Sequence, residues 1–70
     1  MNNEKILYEY IKKHGNCIYA NYEMLAEELG CGTSTVKKYK NILVADGYIS
    51  CRCKVINNSK KLILSIIKEN

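Results

Sequence analysis

The stretch from Tyr22 to Asn41 constrains this chain most tightly: its small and apolar side chains fall at the offsets that two short helices need to cross at a tight turn. Ala26 stands where only a small side chain lets crossing helices approach, and Gly30 where the chain must reverse through a permissive backbone. Val36 then faces back into the core. Leu25, Leu29, Cys31 and Tyr39 supply apolar surface around these three, so the second helix is expected from Thr33 to about Asp46 and is rich in lysine.

Charge gives that helix a direction. Between Met1 and Gly32, Lys5, Lys12 and Lys13 are outnumbered by Glu4, Glu9, Glu23, Glu27 and Glu28. From Thr33 to Lys61, Lys37, Lys38, Lys40, Arg52, Lys54, Lys60 and Lys61 face only Asp46. The net charge of +4 therefore hides a two-sided molecule whose basic half attracts polyanions. Two helices across a tight turn, the second one basic, read as a helix-turn-helix that places its second helix against DNA.

A chain of 70 residues is expected to form a single domain over 1–70. At this size one core supplies only about 3–5 kcal/mol, which leaves little for an enzyme's cavity. An apolar fraction of 47% excludes a disordered tail. The Met1-Asn2-Asn3-Glu4 start lacks a secretory leader, and no apolar run is long enough to span a bilayer, so a cytoplasmic protein without membrane contact is expected. The cysteines Cys17, Cys31, Cys51 and Cys53 are accordingly read as reduced thiols.

Asn3 to His14 carries Ile6, Leu7, Tyr10, Ile11 and His14 at steps of three and four, which predicts a first helix stopped at Gly15-Asn16. Cys17–Ala20 suits a short strand or an extended connector. Asn21 is placed to cap the next helix, with Glu23 in its first turn. In the third helix Val36, Tyr39 and Leu43, helped by Ile42, form the buried stripe, while Ser34, Thr35, Lys37, Lys38 and Asn41 line the other side. After Asp46-Gly47 the periodicity becomes strand-like from Tyr48 to Ile56, breaks at Asn57-Asn58-Ser59 and resumes to Ile67, a hairpin with a polar tip. Leu62–Ile67 is apolar enough to be a short helix instead. The fold class expected is α+β, mainly α: three helices followed by a C-terminal β-hairpin wing over about 48–67.

The segments Tyr22–Gly30, Ser34–Tyr39, Leu43 and Asp46–Ile49 together resemble the winged helix-turn-helix family, with the pattern of phage and plasmid replication initiators and small bacterial transcriptional regulators. About half the chain carries the resemblance closely, and the wing only by pattern. What it implies is sequence-directed binding of duplex DNA by the helix starting near Thr33. Gly32 departs from the Ser or Thr common at that cap.

The candidate DNA-binding residues are Thr33, Ser34, Thr35, Lys37, Lys38, Lys40 and Asn41 on the helix and Arg52, Lys54, Lys60 and Lys61 on the wing. Thr35, Lys38 and Asn41 are the base-edge candidates: Lys reaches guanine O6 and N7, and Asn pairs with adenine. Each has a plainer alternative, since charged helix faces are often only solvated and basic ribbons also discourage edge pairing. Tyr10, Tyr19, Tyr39 and Tyr48 read as core anchors with the hydroxyl at the edge, whereas Tyr8 and Tyr22 stay open. His14 is expected near the last carbonyls of its helix. Cys51 and Cys53 share a strand face, but they make no metal-ligand spacing with the other thiols or with His14. No catalytic constellation, cofactor or small-molecule substrate is implied. The function expected is transcriptional regulation by a DNA-binding protein, with a homodimer expected through helix 1 or the last strand. The rivals are a protein-interaction module, a replication or mobile-element accessory protein on the same fold, and a thiol-based sensor.

Overall fold

A computed structural model describes residues 3–68. These residues form three helices and three strands in the order α1 (Lys5–Lys13), β1 (Cys17–Ala20), α2 (Tyr22–Leu29), α3 (Thr33–Ala45), β2 (Ile49–Ile56) and β3 (Ser59–Ile66). The wing is broader than the expected two-stranded ribbon. β1 joins it, giving an antiparallel sheet in the order β1-β3-β2 with β3 at the centre. The alternation of Ile18 and Ala20 explains this: both are buried, and they lie opposite Leu64 and Leu62 of β3. The segment Leu62–Ile66 is thereby fixed as strand rather than helix.

All three helices end in the same way. The Cys31 N–H donates to the Ala26 carbonyl and the Gly30 N–H to that of Glu27, with Gly30 left-handed at φ 70. The paired bonds satisfy carbonyls that the helix leaves open, and they need a residue that tolerates positive φ. The same bond pattern recurs from Gly15 and Asn16 to Lys12 and Ile11, and from Gly47 and Tyr48 to Val44 and Leu43. At its start, α2 is capped by Asn21, whose Oδ1 accepts from the Met24 N–H at 2.7 Å.

The core joins Leu7, Tyr8 and Ile11 of α1, Leu25 and Ala26 of α2, Val36 and Leu43 of α3, and Ile18, Ala20, Ile49, Leu62 and Leu64 of the sheet. On α1 the buried face is rotated from the expected one. Tyr8 goes inside while Ile6 is 45% exposed, because the sheet packs beside α1 and captures the Tyr8 ring. The Tyr8 hydroxyl donates to the Lys68 carbonyl at 2.9 Å, and its ring meets Tyr48 edge-on at 5.7 Å. Tyr19 corrects another expectation: it lies on the sheet's outer face and is exposed. Tyr39 is half-buried rather than inside. The His14 ring lies against Tyr10, with centroids 4.4 Å apart, and the backbone N–H of His14 bonds the last turn.

The β2–β3 hairpin turns through Asn57 and Asn58, at φ 51 and 63, the left-handed pair of a tight two-residue turn whose twist matches the strands. Beyond Cys51 and before Lys61 the ribbon is exposed and projects from the core.

Leu64→Ala, at a fully buried position of the central strand, is expected to lower the unfolding free energy by about 2–5 kcal/mol in urea titration. Asn21→Ala is expected to lower it by about 1 kcal/mol. Losses of a few tenths of a kcal/mol in both would contradict this account of the core and cap.

Candidate nucleic-acid interface

The outward face of α3 follows from its buried one. With 3.6 residues per turn, seating Val36 and Leu43 in the core turns Ser34, Lys37, Lys38 and Asn41 outward, and all four are exposed. Thr33, at the helix start, is exposed as well. Thr35 and Lys40 differ. Both are half-buried and lie on opposite flanks of the helix, so Thr35 borders the outward face rather than leading it. Gly32 adopts an extended conformation before the helix and its carbonyl receives the Thr35 and Val36 N–H groups, with no side-chain cap. The amides of Thr33 and Ser34 at the helix end therefore face outward without a carboxylate capping them.

Lysines on the α2-facing flank are organised by an aromatic ring. Lys37 Nζ lies 5.4 Å and Lys40 Nζ 6.0 Å from the centroid of Tyr22, one of the two tyrosines whose role the sequence left open. Among the described residues, Lys37, Lys38 and Lys40 form no ion pair with a carboxylate. A ring positions an ammonium group without cancelling its charge, whereas a carboxylate would do both.

Between this flank and the wing runs a cleft of about 410 Å³, lined by Asn21, Tyr22, Glu23, Lys37, Cys53, Lys60 and Leu62. A second hollow, bounded by Tyr22, Glu23, Thr33, Ser34 and Lys37, continues toward the start of α3. Cations from both elements thus meet at one cleft, with Glu23 the carboxylate lining it.

The register divides the wing's basic residues. Lys60 pairs with Val55 and shares a face with Cys53 and Leu62, turned toward the cleft. Lys61 pairs with Lys54, and Arg52 with Ile63, which puts Arg52, Lys54 and Lys61 on the opposite face. Strand residues alternate sides, so adjacent Lys60 and Lys61 cannot serve the same surface. The sequence showed the basic ribbon but not this split, which depends on register.

The four thiols are unpaired. Burial pushes the Cys51 thiol up; the Lys40 ammonium opposes that shift and Cys53 reinforces it. Cys17 and Cys53 are exposed, and Cys17 Sγ accepts a hydrogen bond from Ser65 Oγ at 3.4 Å. No group of side chains suited to holding a metal ion occurs among the described residues. Because a raised pKa keeps the thiol protonated to higher pH, alkylation near neutral pH should modify Cys53 before Cys51, as followed by mass spectrometry of peptides. Modification of Cys51 first would contradict the placement.

No described helix is long and apolar enough to cross a membrane. No curated protein and no solved structure matches the chain. A family model described as a helix-turn-helix domain does match, over residues 2–49, through all three helices and β1 and as far as the first residue of β2. On that match, and on the turn geometry at Gly30, the chain belongs to a helix-turn-helix DNA-binding family.

Proposed function

We propose that this protein recognises specific sequences in double-stranded DNA by laying α3 in the major groove, and that it regulates transcription. The observation that carries the proposal is the outward face of α3: Ser34, Lys37, Lys38 and Asn41 stand together on a helix anchored by Val36 and Leu43, and among the described residues no carboxylate pairs the lysines. Thr33 and Ser34 meet phosphate through backbone amides and hydroxyls. Lys38 and Asn41 reach base edges, since their side chains fit guanine and adenine in the major groove. Lys37 and Lys60, on either side of the cleft, hold the flanking backbone, with Lys40 adding charge from behind Tyr22. Thr35 touches the duplex at the margin of the helix.

Equilibrium titration against duplex DNA at several salt concentrations tests this directly. The log–log slope should be steeply negative and become shallower by about 0.9 for each of Lys37→Ala and Lys60→Ala, the two lysines assigned to the phosphate backbone. Asn41→Ala should instead cost about 1–3 kcal/mol on a selected site and relax discrimination at one base pair. Glu23→Gln should strengthen binding, by removing the carboxylate that faces incoming phosphate in the cleft. Salt-insensitive binding, or affinity unchanged in all these variants, would contradict the proposal and favour a protein partner.

A further inference from the structure

We propose that the outer face of the sheet docks the acidic face of α2 on a second copy of this chain. On that face Tyr19, Ile63 and Arg52 form one row in register across all three strands, and Lys61 and Lys54 form the next across two. Tyr19 is 59% exposed and Ile63 half-buried, so an apolar centre is flanked on two sides by three cations, with the uncharged Cys17, Ser65 and Ser50 in the next row on the other side. Lys54 stands directly opposite Lys61. Like charges in a cross-strand pair repel, and among the described residues neither has an acidic partner.

α2 presents the complementary surface. Met24 is 37% exposed, and Glu27 and Glu28, three and four residues further on, lie beside it on the same side of the helix. An apolar centre with a carboxylate rim therefore matches an apolar centre with a cationic rim. Tyrosine and arginine are also the residue types that concentrate binding energy in protein interfaces. A nucleic acid on the sheet face would account for the cations but would leave the acidic rim around Met24 unused, which favours a second copy.

Because the two surfaces differ, the contact is head-to-tail and builds rows rather than closed pairs. Exposed ion pairs contribute little individually, so the contact is weak in free solution. It gains strength where neighbouring copies are held close together on one polymer.

Sedimentation velocity of the DNA-free chain over a concentration series tests the contact without relying on the DNA-binding proposal. The sedimentation coefficient should rise with concentration at low salt and return to the monomer value at about 1 M salt, where the screening length is about 3 Å. The pair Lys54→Glu/Lys61→Glu, the pair Glu27→Lys/Glu28→Lys and the single Tyr19→Ala should each abolish the rise while keeping the circular dichroism of the folded chain. An equimolar mixture of the two charge-reversed proteins should regain it, since each then offers the other a complementary face. A wild-type chain that stays monomeric, association indifferent to both reversals, or a mixture that stays monomeric would each overturn the proposal. Weaker DNA binding by Lys54→Glu/Lys61→Glu with association intact would also overturn it, and would assign the sheet face to nucleic acid.

Discussion

Everything exposed on α3 depends on what the helix hides. Val36 and Leu43 enter a core built with α1, α2 and the sheet, and burying each contributes about 1.5–3 kcal/mol. A rotation of the helix by one residue would place Lys37 where Val36 sits, at the far greater cost of burying an ammonium group. The rotational setting of α3 is therefore held by apolar packing, and the polar face follows from it. The left-handed Gly30 and the closing bonds from Cys31 and Gly30 fix the angle at which α2 delivers the chain to this helix.

The sheet completes the arrangement in two ways. Its inner face supplies Ile18, Ala20, Ile49, Leu62 and Leu64 to the core, while its projecting hairpin brings Lys60 to the cleft opposite Lys37. Tyr22 lies between the wing and α3, and its ring holds Lys37 and Lys40 while leaving their charge uncompensated. The free energy of such contacts is small, about 0.5–1 kcal/mol at exposed sites. Their consequence is positional: flexible ammonium groups are gathered on one flank of α3.

Much of this was legible in the sequence because local rules and packing agree. The glycines at positions 15, 30 and 47, the Asn21 cap and the Val36–Leu43 stripe each stand where a short-range rule puts them, and the helices follow within a residue or two. What could not be read depends on distant partners. The place of β1 beside β3 needs the pairing of Ile18 with Leu64, and the inward turn of Tyr8 needs Tyr48 and the Lys68 carbonyl. Tyr19 looks apolar in sequence, yet alternation with the buried Ile18 and Ala20 sends it outward. At the candidate interface, the outward placement of Lys37 and Lys38 on α3 was readable from helical spacing. The role of Tyr22 and the division of Lys60 from Lys61 required the packing of α2 on α3 and the register of the hairpin.

Mapping amide chemical-shift changes on addition of duplex DNA at low salt tests the central claim most directly. The account expects the largest changes from Thr33 to Asn41 and at Lys60, with the α1 amides little affected. Changes centred on α1, with the α3 amides unmoved at saturation, would contradict it.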